Sequence, residues 1–221
     1  MSIIATFDQP WGWSKLDTAR KCKAQFAYQY IKKLPSPGNA AMARGNEVHE
    51  TIEAYMQGWI ADLPEFLAQW KEAFDELKKG KFTAEQAIGI SKEWTVLPDW
   101  FDKRTWLRAK MDAKIIEGDL LRVIDWKTGQ YRIPSPDQVE LYAIVGHALH
   151  PEVTKVRAEF WFIDQSDTYT RDYSAAELKI LRKKYEDEAG ALYATQVWSE
   201  SPSRDCKWCA YSKSKGGECK F

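Results

Sequence analysis

Asp125 and Lys127 stand two residues apart in Val123-Ile-Asp-Trp-Lys-Thr-Gly129. Strand side chains alternate faces, so in a strand these two point the same way. A second acid, Asp112, lies upstream across Glu117-Gly118-Asp119. Gly118-Asp119 suits a two-residue hairpin loop, because glycine accepts the positive φ that a type II′ turn needs at its first central position. Glu117 then pairs with Leu120, and stepping outward sets Asp112 opposite Asp125 and Lys110 opposite Lys127. Counting alternate pairs from the turn makes Asp112 and Asp125 a non-hydrogen-bonded pair, with α-carbons about 4.5 Å apart. Two facing carboxylates repel each other unless one is protonated or a cation sits between them. Carboxylate oxygens suit Mg²⁺ or Mn²⁺, ions that keep several waters and bind phosphate. Lys127 on the same face can orient or help deprotonate an attacking water, or balance phosphate charge. The bland alternative is a solvated hairpin face with scattered acids and lysines.

Positioning these residues takes a mixed α/β domain with an at least partly antiparallel sheet. Apolar spacing predicts helices over 14–34, about 40–56 and 64–79, and a strand over 91–97. The hairpin strands span 106–116 and 120–126. Ser135-Pro-Asp-Gln138 opens a helix to about Leu149, with Ser135 as cap and Gln138 completing a capping box. Strands follow over 156–164 and 169–173. Ser174-Ala-Ala-Glu177 is a second capping box, opening a helix to about Thr195.

With 221 residues the chain is long enough for one packed domain, or one with a small appendage. No apolar run of about 18 residues is present, which predicts no membrane span. No basic segment followed by an apolar core opens the sequence, which places the chain in the cytoplasm. Formal net charge is zero, which counts against nucleic-acid binding, but the charge is uneven. Lys15, Arg20, Lys21, Lys23, Lys32 and Lys33 face one acid, Asp17, between residues 14 and 33. For any one such cluster, solubilising charge is the preferred reading. Eleven tryptophans predict a large aromatic core, with some rings free to stack on bases.

Together the motifs resemble RecB-like nucleases of the PD-(D/E)XK superfamily. Val123 to Gly129 resembles their active-site strand, and Asp112 in Arg108-Ala-Lys-Met-Asp112 their preceding aspartate. Gly45-Asn-Glu-Val-His49 resembles their early Gly-x-x-x-His helix. Gln138-Val-Glu-Leu-Tyr142 resembles their Gln-x-x-x-Tyr helix, and Trp13-Ser-Lys-Leu-Asp-Thr-Ala-Arg-Lys-Cys22 their opening Ser-x-Leu helix. The elements occur in family order over nearly the whole chain. The resemblance implies a restriction-endonuclease-like α/β core, a mixed sheet with flanking helices. It implies that His49, Asp112, Asp125 and the Trp126 backbone carbonyl bind Mg²⁺ or Mn²⁺, that Lys127 is catalytic, and that Gln138 and Tyr142 lie beside substrate or the lysine. Each has a structural alternative: a buried His49, a capping Gln138, a core Tyr142. His49-Glu-Thr-Ile-Glu53 is not a zinc-protease helix, because Glu53 stands where a second histidine is needed. Glu93 reads as a solvent-facing strand residue before a further active-site acid.

Cys206-x-x-Cys209 is a tight metal-binding pair, with Cys219 after nine intervening residues and Cys22 far upstream. This layout resembles AddB-type and CRISPR-adaptation nucleases that carry a 4Fe–4S cluster, although there the last spacing is often shorter. Structural Zn²⁺ is the alternative. The expected organisation is a single nuclease domain over 1–221, its N-terminal helix (14–34) and C-terminal segment (202–221) clipped together by the four cysteines. The implied activity is DNA phosphodiester hydrolysis, exonucleolytic on ends or single strands, in repair, recombination or CRISPR-linked processing with partners from those systems. The competing readings are an inactive DNA-binding or assembly module of the same fold, and an RNA nuclease.

Overall fold

The structure, a computed structural model, describes residues 2–36, 38, 40–129 and 135–221. In chain order the strands are β1 (Ile3–Ile4), β2 (Lys81–Ile90), β3 (Leu107–Glu117), β4 (Leu120–Lys127), β5 (Lys155–Phe162), β6 (Asp167–Ser174) and β7 (Val197–Trp198). The α-helices are α1 (Trp13–Lys21), α2 (Lys23–Phe26), α3 (Ala40–Met56), α4 (Lys71–Lys78), α5 (Pro136–Leu149) and α6 (Ala175–Ala194). Two compact units result: Asn39–Arg182, and Met1–Gly38 with Lys183–Phe221.

The larger unit holds a five-stranded mixed sheet of order β2-β3-β4-β5-β6. β4 and β5 are parallel and the other neighbours antiparallel. Val48, Ile52 and Tyr55 of α3 and Phe74 and Leu77 of α4 pack with Ala113, Ile115, Ile124 and Trp126 on one face. α5 follows β4 and packs on the opposite face. A Cβ on Gly146 would lie 2.9 Å from Leu121 and Val123 side chains, so glycine lets the helix sit close to the strand. Gln138, Tyr142 and Gly146 are four residues apart and form one stripe of α5. Leu121, Val123, Asp125 and Lys127 alternate onto the strand face below it. The stripe thereby lays Gln138 and Tyr142 over the acid and the lysine.

In the smaller unit β1 pairs antiparallel with β7. Phe26 stacks on Trp198 at 4.8 Å between ring centroids and meets Phe7 edge-on at 5.0 Å. No described helix is long and apolar enough to cross a membrane.

The hairpin register is the expected one from Glu117↔Leu120 to Ala113↔Ile124, and Gly118 has φ +62°. The backbone pairing ends there, one step short of Asp112 and Asp125. Four expectations are corrected. Residues 91–97 are not a strand; β2 ends at Ile90 and only Val96 bridges back to it. Ser91 Oγ draws the backbone into a turn by accepting from the amides of Glu93 (3.2 Å) and Thr95 (3.4 Å). Glu93 accordingly sits in that turn, where Ser91 Oγ donates to its carboxylate at 2.7 Å, and not beside the acids of β3 and β4. The 14–34 helix breaks at Cys22, whose backbone is extended (φ −159°, ψ 115°) and whose sulfur caps α2. The 64–79 segment is a 3₁₀ helix, Glu65–Trp70, before α4.

His147 on α5 is buried, and neither ring nitrogen has a hydrogen-bond partner among the described residues. Burial lowers its pKa from 6.5, Arg182 and Lys179 add to the fall, and Glu152 opposes it. The unfolded chain therefore binds a proton that the folded chain refuses. Stability is lost as pH falls through 6.5 toward the folded-state value. His147→Leu is expected to flatten the fall in denaturation midpoint across that window, measured by chemical denaturation over a pH series. Equal slopes in the two proteins would contradict this.

Candidate active site and cysteine cluster

The larger unit gathers the predicted residues where the pairing of β3 with β4 ends. Asp112 and Asp125 are buried, at 8% and 5% exposure. The pairing that stops at Ala113 is continued by a side chain: Trp126 N–H donates to Asp112 Oδ2 at 2.8 Å. α3 brings His49 Nδ1 to 3.3 Å from Asp112 Oδ1. Lys127 forms an ion pair with Asp125 Oδ2.

Gln138 links the rest. Its side-chain oxygen accepts from Lys127 Nζ at 2.9 Å, and its Nε2 donates to Asp125 Oδ1 (3.2 Å) and Tyr142 Oη (3.3 Å). The expected capping box is therefore corrected: Ser135 caps α5 by accepting from Asp137 N–H, while Gln138 turns inward. Burial pushes the Asp125 carboxyl up to about 6; Lys127 pulls it back and Asp112 adds to the rise. Burial, with the nearby Asp125 charge, also pushes the Tyr142 phenol far up, so it keeps its proton.

Two contributors are not visible in the motifs. Lys127 Nζ lies 4.9 Å from the centre of the Phe160 ring, a cation–π contact. Asp164 accepts from Gly129 N–H at 2.7 Å and from Arg44 at 2.9 Å, which fixes the chain just past β4. Both come from the parallel β4–β5 pairing, where Asp125 is in register with Phe160. The only sequence signal for them is the strand at 156–164, without its neighbour.

Among the described residues no three His, Cys, Asp or Glu side chains stand as a closed metal-binding array. Lys127 and Gln138 instead cover the Asp125 oxygens. The donor chemistry nevertheless fits a hard divalent cation: two buried carboxylates and an imidazole, with Asp125 Oδ2 held by an ammonium that a metal ion can replace.

In the smaller unit Cys22, Cys206, Cys209 and Cys219 line one cavity, and no disulfide joins them. Backbone amides of Gln25 and Ser203 donate to the sulfurs of Cys22 (3.5 Å) and Cys206 (3.4 Å). Burial raises the Cys209 thiol, and the other three cysteines add to the rise. Gly217 N–H returns to Ser212 O at 2.9 Å, and Cys219 N–H reaches Tyr211 O at 2.9 Å. The long spacing thus closes into a side loop that returns Cys219 next to Tyr211.

The sequence profile of the PD-(D/E)XK nuclease superfamily matches residues 10–214. The chain belongs to this superfamily. No curated protein sequence matches it. Among the solved structures that share the fold, two do so at a TM-score of 0.51. One is SSO0001, at 15% identity over 98% of this chain and 88% of that one. The other is a protein from Eubacterium rectale described as a putative exonuclease, at 10% identity over 90% and 88%. Membership of a nuclease family makes phosphodiester hydrolysis the class of reaction.

Gln138→Leu would leave Lys127 and Asp125 each a partner short in a buried setting, a cost of about 1–3 kcal/mol. Tyr142→Phe removes a group that only receives from Gln138 and should cost less. Denaturation midpoints of the two variants check this order.

Proposed function

We propose that the protein is a Mg²⁺- or Mn²⁺-dependent DNA nuclease, an exonuclease on DNA ends or single strands in repair, recombination or CRISPR-linked processing. The observation that carries the reading is the convergence of Asp112, Asp125, His49 and Lys127 where β3 and β4 part, in a chain of this superfamily. Asp112, Asp125, His49 and the Trp126 carbonyl would hold the cation. When bound, it would polarise the phosphodiester and acidify a water. Lys127 then leaves Asp125, and its ammonium is free to orient the water or neutralise phosphate. Gln138 keeps hold of the lysine through this exchange, and Tyr142 positions Gln138. The four cysteines hold a 4Fe–4S cluster, with structural Zn²⁺ as the alternative. Binding there ties residues 14–34 to 202–221, and the chain works as one nuclease domain.

End-labelled single-stranded DNA with Mn²⁺ tests the activity, with RNA alongside. Wild type is expected to shorten DNA, and Lys127→Ala to lose about 100-fold or more. If wild type leaves DNA uncut with metal present, the reading fails. If it cuts RNA alone, the substrate assignment fails.

Anaerobic purification tests the cysteine cluster separately. A brown protein with a visible absorption band is expected; colourless protein with stoichiometric zinc would overturn the iron–sulfur assignment.

A further inference from the structure

The even-numbered residues of β3 share a face with Asp112, and beyond it that face carries Lys110, exposed, and Arg108, half-buried. At about 3.3 Å per residue, Arg108 lies roughly 13 Å along the strand from Asp112. The guanidinium of Arg108 stands 5.2 Å from the ring centres of both Trp100 and Phe101, and its Nε donates to Trp100 O at 3.2 Å. Phe101 is 77% exposed.

The loop that presents these rings is built to stay put. Asp99 accepts from Phe101 N–H at 2.6 Å and Asp102 from Arg104 N–H at 2.8 Å, two side-chain turns in succession. The loop rests on β2 at Gly89, where a Cβ would come 3.0 Å from both Asp99 O and Thr105 Oγ1. A large aromatic ring held open to water by a fixed loop is not a core residue that failed to pack. Two acids of the surrounding turns are engaged: Asp102 pairs with Arg104 at 2.7 Å and Glu93 receives from Ser91.

We propose that this surface is the path of a single-stranded DNA. Bases stack on Phe101 and Trp100, and Arg108 and Lys110 neutralise successive phosphates on the way to Asp112. Alternating cations and aromatic faces are the chemistry of single-strand binding, because every base offers a π-face and every nucleotide a charge. A duplex keeps its bases stacked on each other and cannot use the rings. The proposal rests on the nuclease reading for its direction toward Asp112, but the surface itself is testable without cleavage.

The test measures anisotropy of a labelled oligothymidine and of a blunt duplex, in chelator, against the full-length protein. Phe101→Ala is expected to weaken oligothymidine at least about fivefold and leave the duplex unchanged, with Phe101→Trp restoring affinity. Lys110→Gln should lower the salt-dependence slope by about 0.7. Hydrolysis of bis(p-nitrophenyl) phosphate with Mn²⁺ reads the metal centre alone. It should be equal in wild type and Phe101→Ala, which also shows that the variant folds. Wild-type oligothymidine affinity in Phe101→Ala, or equal losses for single strand and duplex, would overturn the path and leave the nuclease reading standing. A wild type inert toward both the ester and DNA would remove the nuclease reading, while the affinity measurement still decides the stacking surface.

Discussion

Two carboxylates buried where β3 and β4 part set the terms for the larger unit. Asp112 and Asp125 are removed from water, and burial alone makes the ionised form of Asp125 costly. Everything around them answers that charge. Trp126 spends a backbone amide on Asp112, Lys127 pairs with Asp125, and Gln138 bonds both members of that pair. The partners of Asp125 are exchangeable side chains. An ammonium on a flexible stem can leave a carboxylate when a stronger cation arrives, whereas the backbone amide on Asp112 is fixed. The pair therefore divides into one anchored acid and one released by a side-chain movement.

The fold supplies this arrangement through a parallel strand pair inside an otherwise antiparallel sheet. A parallel neighbour requires a crossover, and the crossover helix is α5. That helix carries the bridging glutamine, and the strand it leads to carries the ring under the lysine. The opposite face is closed by α3 and α4 over Ile124 and Trp126. Strand alternation then sends Ile124 and Trp126 to one layer and Asp125 and Lys127 to the other.

Local rules made part of this legible. The hairpin register followed from Gly118-Asp119 and from strand parity, and the caps at Ser135 and Ser174 from side chains that bond amides two or three residues on. Local pattern placed Gln138 but left its partner to the family resemblance: a capping box and a buried bridge use the same residue type, and the depth of α5 on the sheet separates them. Apolar spacing misplaced the strand at 91–97, because Ser91 offers the backbone a competing turn. β2 passed unnoticed because its residues 83–87 mix polar and small types. Phe160 and Asp164 reach the site through pairing across a long crossover, which no local pattern encodes.

The excursion between Cys209 and Cys219 is closed at its base by bonds from Gly217 to Ser212 and from Cys219 to Tyr211. Its contour length is thereby decoupled from the positions of the sulfurs. Residues can be added at its tip without moving either cysteine, so counting residues between them is a poor yardstick for finding kindred chains. The same closure marks the tip, at Lys213–Lys215, as a place to graft a fluorophore or an affinity handle.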